Sequence, residues 1–176
     1  EALEKRGWLE NTLIFYISDH GDMTGDHHMW RKSYAYEGSA RVPYIMRWPK
    51  GLAPENRGQV RREPVEIRDI LPTCCDAAGV KIPEAVDGDS LLKLVRGQTE
   101  GWRPWIDLEH DVCYSKRNHW TALTDGRIKY IFHAYDGEEQ LFDLEQDPGE
   151  ETDLAKKPAH QQTLKTWRAR MVAHLE

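Results

Sequence analysis

The most constraining feature of the sequence is an apolar run that ends abruptly in polar residues. Residues 12–17 are β-branched, apolar or aromatic, and Ser18-Asp19-His20-Gly21 follows directly. This pattern predicts a buried central strand of an α/β sheet, with polar groups at the carboxyl end where such sheets bind ligands. Because the glycine lets the backbone turn away, Asp19 and His20 can face one divalent cation. Asp-His-Gly also occurs at ordinary strand ends, where Asp caps a loop and His fills space.

Composition argues against several classes of partner. The chain has 176 residues and a formal net charge of −6, and its acidic residues gather between Glu138 and Asp153. This charge argues against a general nucleic-acid or membrane surface. No apolar run approaches the roughly 20 residues that a membrane-spanning helix needs. Cys74, Cys75 and Cys113 do not form a zinc pattern and are expected to be buried free thiols.

The first hundred residues are typical of part of a larger α/β unit. Residues 1–10 fit the end of an amphipathic helix that stops at Gly7 and leads into the strand. A helix followed by a central strand is half of a βαβ crossover, so the sequence is interpreted as the C-terminal portion of a longer protein. A second strand is predicted over 42–48, and a strand leading into a helix over 64–79.

From residue 102 the pattern changes to short segments at 106–114, 120–124, 129–133 and 140–144, separated by turns rich in Asp and Gly. This pattern predicts an antiparallel meander. The last stretch, 161–175, predicts a helix whose apolar stripe covers one face of the sheet, formed by Leu164, Trp167, Met171 and Leu175. The expected fold class is therefore α/β, with the C-terminal part of a sheet domain over 1–101 and a small antiparallel sheet with a terminal helix over 102–176.

A polar loop over 21–31 would cover the end of the first strand. His27 and His28 are adjacent, and because adjacent side chains usually diverge, at most one can face the same ion as His20. His28 is also a candidate for lining a substrate pocket. Lys32 follows the loop, and its compact ammonium suits a tetrahedral oxyanion near a cation, since it can neutralise charge on the departing oxygen. The alternative for Lys32 is an ordinary surface lysine.

Several motifs together resemble one known family. The run from Asp19 through Pro43, with Lys32 and Tyr36-Glu37-Gly38 inside it, resembles the second half of the type I sulfatase signature of the alkaline phosphatase superfamily. The resemblance continues through further short motifs, at 71–73, 87–88 and 141–150. It implies the C-terminal part of an alkaline-phosphatase-like α/β sheet domain, followed by the small C-terminal subdomain of sulfatases.

The resemblance also implies roles for individual residues. Asp19 and His20 match the pair that binds a divalent cation, usually calcium, and Lys32 matches the lysine that contacts a sulfate oxygen. Loops of the C-terminal subdomain line the substrate pocket in this family, which makes His119 a candidate substrate contact. The alternative for the aromatic residues of this region is packing between sheets.

The activity that the resemblance implies is hydrolysis of sulfate esters. Its nucleophile is a formylglycine made from a Cys/Ser-x-Pro-x-Arg motif, and no such motif occurs in the 176 residues. Formylglycine is therefore expected in a missing N-terminal sulfatase portion, and this chain alone is expected not to turn over substrate. The expected substrate is a small sulfated sugar, aryl sulfate or alkyl sulfate. A periplasmic or secreted location is the family-based expectation for the full-length enzyme.

Two alternatives stay open. His20 stands where several family members have Asn, and imidazole suits Mn²⁺ or Zn²⁺ better than Ca²⁺. Related phosphodiesterases and phosphonate hydrolases share an Asp-His pair here, so phosphate- or phosphonate-ester hydrolysis is the first alternative. The second is a non-catalytic binding or assembly module. An exposed apolar face where the missing part of the sheet should pack would also make the fragment self-associate.

Overall fold

The computed structural model of the chain describes residues 1–113 and 115–176, and at Pro54 the backbone alone. The helices of these residues are α1 (Ala2–Lys5), α2 (Glu37–Ala40), α3 (Ile70–Ala77), α4 (Leu92–Val95) and α5 (Gln161–Leu175). The strands are β1 (Ile14–Ile17), β2 (Tyr44–Arg47), β3 (Ile106–His110), β4 (Trp120–Thr124), β5 (Ile128–His133) and β6 (Glu139–Asp143). The chain divides into two compact units, 1–19 with 43–102, and 20–42 with 103–176.

The first compact unit contains the two strands that the sequence predicts near its start. β1 and β2 pair antiparallel, with Tyr16 opposite Ile45. The prediction that the first strand is buried and central is wrong, because among the described residues β1 pairs only with β2, and Tyr16 is exposed. The strand predicted at the start of 64–79 is wrong, because this segment is irregular and then forms a 3₁₀ turn, Ile67–Asp69, ahead of α3. The Asp69 carboxylate is fully buried and accepts hydrogen bonds from the backbone N–H groups of Glu66 and Asp89. These bonds stabilise a turn where strand pairing was expected.

The second compact unit is the predicted meander. Its four strands pair antiparallel in the order β3-β4-β5-β6, and α5 packs on one face. The core on that face consists of Leu123, Tyr130, Leu141, Ala155, Leu164, Trp167 and Met171. The other face packs against residues 35–36, and its buried core residues are Ala35, Trp120, Ala122, Ile131 and Phe142. Both faces of this small sheet are therefore covered by residues of the same unit.

Three features of the fold differ from the sequence predictions. The strand predicted over 106–114 ends at His110, and Tyr114 lies outside the described residues. Leu175 is exposed, so the buried stripe of α5 ends at Met171. Residues 20–42 group with the second unit, although the sequence placed them with the first. The domain division at 1–101 and 102–176 itself stays a prediction.

Two predictions from composition also have outcomes. Among the described residues no helix combines the length and apolar character that crossing a membrane requires. All three cysteines are free, as predicted, but they are not buried, since Cys74 is exposed and Cys75 and Cys113 are half-buried.

Truncating the centre of the α5 face tests this packing. Trp167 is 3% exposed within the core, so Trp167→Ala is expected to lower the free energy of unfolding by about 3–5 kcal/mol. Urea unfolding of the chain measures the change. Val172→Ala, at a half-exposed position on the same helix, is the control and is expected to change it by less than about 0.5 kcal/mol. Equal losses in the two variants would contradict the assigned packing.

Candidate functional site

The strand end carries the two predicted metal ligands. Asp19 is exposed, and Ser18 Oγ donates to its Oδ1 over 3.4 Å. His20 is half-buried, and its Nδ1 lies 2.6 Å from the carbonyl oxygen of Gly21. A hydrogen bond to a carbonyl requires the proton on Nδ1, so neutral His20 carries its lone pair on Nε2. That is the nitrogen that a cation would use.

Gly21 is held close against α2. Its N–H donates to the carbonyl oxygen of Ser39 over 2.8 Å. A Cβ at this position would lie only 2.1 Å from the carbonyl oxygen of Gly38, far inside van der Waals contact. The glycine of the Asp-His-Gly motif is therefore required by backbone packing, and this packing sets where the chain goes after the strand end.

Residues 22–33 form a loop that closes on itself. Because it carries His28 and Lys32, the two residues predicted to contact a substrate, we call it the substrate loop. Asp22 Oδ1 accepts hydrogen bonds from the N–H groups of Thr24 and Arg31, and the N–H of Met23 donates to the Arg31 carbonyl. The Met23 side chain is fully buried beneath the loop. His28 and Lys32 are exposed. The loop therefore presents the imidazole of His28 and the ammonium of Lys32 to solvent.

Three tethers connect the substrate loop and its continuation to the rest of the second unit. His27 Nε2 lies 3.0 Å from the carbonyl oxygen of Gly149, and its ring stacks on Tyr36 with centroids 4.1 Å apart. The Tyr36 hydroxyl is 3.2 Å from Gln140 Oε1 on β6. The buried Trp120 indole donates from Nε1 to the Ser33 carbonyl over 3.0 Å. His27 is therefore occupied by structural contacts.

The segment that follows the substrate loop also takes part in a buried cluster of charges. Lys129 on β5 is fully buried, and its ammonium lies 2.7 Å from Glu37 Oε1 and 2.8 Å from Glu150 Oε1. It also donates to the Ala35 carbonyl over 2.9 Å, and the Glu37 N–H donates to Glu150 Oε2 over 2.6 Å. We call Lys129, Glu37 and Glu150 the ion triad. Burial raises the pKa of Glu150 above its usual value, while the Lys129 ammonium opposes the shift.

Two residues that hold the segment after the substrate loop, Lys129 and Glu150, were not predicted from the sequence. Glu37 also pairs with Arg41 four residues on, at 3.5 Å, but the Arg41 side chain is largely exposed. The signal for Lys129 was available in the strand alternation, since it shares a sheet face with Ile131. A lysine on an otherwise apolar face of an inner strand indicates a buried partner.

The donor set can be tested against a divalent cation. In the part of the chain that the structure describes, no three or more His, Cys, Asp or Glu side chains are grouped to hold a metal. Asp19 and His20 offer one carboxylate and one imidazole nitrogen, which suits a transition-metal dication but falls short of the six to eight oxygens of Ca²⁺.

His119, the predicted substrate contact of the second unit, is half-buried in the connection between β3 and β4. Its carbonyl accepts a hydrogen bond from the Ala134 N–H.

Solved structures define the class of protein. The chain has the fold of sulfatases of the alkaline phosphatase superfamily. A phosphonate monoester hydrolase of Agrobacterium radiobacter is 28% identical with a TM-score of 0.81, over 98% of this chain and 36% of that one. A protein solved with its substrate D-glucosamine-2-N,6-O-disulfate is 26% identical with a TM-score of 0.79, over 98% of this chain and 35% of that one.

The family follows from the sequence comparison. Residues 25–176 match the family described as N-sulphoglucosamine sulphohydrolase, C-terminal, and the chain belongs to this family. The arylsulfatase of Clostridium perfringens is 39% identical over 99% of this chain and 36% of its own length. The chain spans about a third of the length of the curated relatives it matches. The predicted membership among sulfatases is thus confirmed.

The packing of Gly21 gives a direct test. Gly21→Ala forces its new methyl group against the Gly38 carbonyl, which is backbone and cannot rotate away, so stability should fall by about 1–3 kcal/mol. Chemical denaturation measures the loss. Gly51→Ala is the matched control, because nothing lies within 4 Å of a Cβ there. A neutral Gly21→Ala variant would contradict the close packing of the Gly38 carbonyl against Gly21.

The ion triad predicts a pH dependence. A carboxyl whose pKa is raised in the folded state holds its proton more tightly there than in the unfolded chain. The Glu150 contribution to stability should therefore be present below pH 4.5, its ordinary pKa, and be lost as the pH rises through the folded-state value. Urea unfolding of the native chain and of Glu150→Gln across this range measures it. A stability difference that grows in favour of the native chain with rising pH would contradict the assignment.

Proposed function

We propose that this chain is the C-terminal part of a sulfuric ester hydrolase. The observation that carries the proposal is its 39% identity to an arylsulfatase across 99% of its residues, together with its place in the sulphohydrolase family. Because the chain spans only about a third of such relatives, the proposal assigns the nucleophile, a formylglycine, to an N-terminal sulfatase portion. The chain alone is proposed to be inactive.

Asp19 and His20 are proposed to supply two ligands of a divalent cation, completed by groups outside these 176 residues. Calcium is the expectation from the family, and the imidazole favours Mn²⁺ or Zn²⁺ as alternatives. The cation would neutralise charge on the sulfate oxygens. The position of Asp19 and His20 directly after β1, and the donor chemistry of a carboxylate beside an imidazole, support this role.

Lys32 is proposed to act directly on the substrate. Its exposed ammonium would bind a sulfate oxygen and neutralise the charge that develops as the leaving oxygen departs. His28, exposed on the same loop, would line the substrate pocket. His119 is a weaker candidate for this pocket, because it is half-buried beside the Trp120 core. The substrate class is a small sulfated sugar, aryl sulfate or alkyl sulfate.

Phosphonate- or phosphate-ester hydrolysis is the second candidate. Two phosphonate monoester hydrolases superpose with TM-scores of 0.81, one of them at 32% identity. Both reactions place a tetrahedral anion between a cation and an ammonium, so the residues of this chain serve either one. A parallel assay of an aryl sulfate and a phenylphosphonate ester on the longer enzyme separates them, and the ester with the higher kcat/KM identifies the activity.

The exposed face of the first unit supports a missing partner. Tyr16 and Ile45 are opposite each other on β1 and β2, and they are 67% and 61% exposed. Such an apolar pair suits packing by the absent sheet portion, and in the isolated chain it would favour self-association. A non-catalytic assembly module would use the same face, and it predicts a longer polypeptide without esterase activity.

The role of Lys32 is tested in the longer enzyme. Lys32→Ala is expected to lower kcat toward an aryl sulfate about 10²–10³-fold, because it removes one charge from the developing anion. Lys81→Ala is the control, since Lys81 is an exposed lysine paired only with exposed Glu84 in the described structure. The isolated 176-residue chain should show no turnover. Full activity of Lys32→Ala, or enzyme-like turnover by the isolated chain, would refute the proposed division of roles.

A further inference from the structure

The substrate loop has a backbone conformation that its sequence does not favour. Five of its non-glycine residues have positive φ: Thr24, His27, His28, Arg31 and Ser33. Left-handed backbone brings the Cβ of an L-residue too close to its own peptide groups, so it persists only where the surroundings enforce it. The loop therefore needs an anchor outside itself.

The ion triad lies where such an anchor is needed. Its ammonium bonds to the backbone at Ala35 and to the side chain of Glu37, three and five residues after Lys32. The ammonium also pairs with Glu150 Oε1, and the second oxygen of Glu150 accepts the Glu37 N–H. The buried Lys129 ammonium thus binds the segment that follows the substrate loop at two points, Ala35 and Glu37.

We propose that Lys129 is a positioning residue, which through the ion triad holds the substrate loop in its left-handed conformation and so fixes where Lys32 is presented. Lys129 itself is fully buried and contacts no solvent, so it acts only through the segment it binds. The inference rests on the proposed function for the task of Lys32, while the anchoring of the loop is independent of it.

The position of Lys129 excludes a purely local role. Its backbone pairs in the middle of the sheet, and its aliphatic stem lies on the face that carries Ile131 and Phe142. An apolar side chain would complete that face without any charge. Among the described residues, the oxygens that contact this ammonium belong to the segment that follows the loop and to the turn at Glu150.

The first experiment measures loop anchoring in the chain itself. Lys129→Met keeps the length of the side chain but leaves two carboxylates close together without compensation, which destabilises the fold. The triple variant Lys129→Met, Glu37→Gln, Glu150→Gln removes all three charges and keeps the volume, which often preserves stability. Arg168→Met is the matched control, because it breaks another ion pair of the same unit, to Glu139 over 2.5 Å.

Hydrogen–deuterium exchange at the Met23 and Arg31 amides, which close the loop, is the readout. The triple variant is expected to speed their exchange at least tenfold, with amides of β3 and β4 changed less than twofold. Arg168→Met should leave the two loop amides as in the native chain. Unchanged loop exchange in the triple variant, or an equal acceleration throughout the meander, would overturn the anchoring.

The second experiment tests action through Lys32 in the longer enzyme. The triple variant is expected to lower kcat/KM toward an aryl sulfate at least tenfold with Lys32 present, and less than twofold in the Lys32→Ala background. Equal losses in both backgrounds would overturn positioning through Lys32. If the native longer enzyme hydrolyses no sulfate ester, the proposed function fails, and the exchange measurement still decides the anchoring.

Discussion

The structure of the second unit depends on one buried ammonium. Placing a lysine in a sheet core costs several kcal/mol of desolvation unless the charge is compensated. Lys129 donates to the Ala35 carbonyl and forms ion pairs with Glu37 and Glu150. Removing one member of such a cluster typically costs about 3–5 kcal/mol, because the others stay buried without compensation. The triad therefore makes β5, the segment after the substrate loop and the turn at Glu150 mutually dependent.

The local parts of this unit could be predicted from the sequence. Alternation of apolar residues, Asp-Gly turns and the stripe of α5 are short-range signals, and they place the four strands and the helix within one or two residues of the observed limits, apart from the end of β3. The face of β5 that carries Lys129 was not predicted. This face is covered by the segment at Ala35, which lies 94 positions earlier in the chain, and no local sequence pattern indicates a contact at that separation.

The features of the candidate site likewise include some that local sequence predicts and others that depend on distant residues. The end of β1 and a turn at Gly21 could be predicted from neighbouring residues, but the packing of Gly21 against the Gly38 carbonyl could not. The conformation of the substrate loop could not be predicted either, because five non-glycine residues adopt a backbone that their own propensities disfavour. Its tethers join residues 122 and 87 positions apart, from His27 to Gly149 and from Trp120 to Ser33. Only the folded sheet supplies these partners.

The Asp147-Pro148-Gly149-Glu150 turn shows why a motif of the C-terminal sheet belongs to the site. The Asp147 carboxylate accepts from the N–H groups of Glu151 and Thr152, which fixes the turn. In that turn Glu150 has a φ of 56°, and its carboxylate pairs with the Lys129 ammonium of the ion triad. The carbonyl oxygen of the preceding residue, Gly149, contacts His27 Nε2. Because the turn holds both the loop and its continuation, residues 20–42 group with the sheet that supports them. A change in this turn can therefore alter the presentation of Lys32 without contacting it.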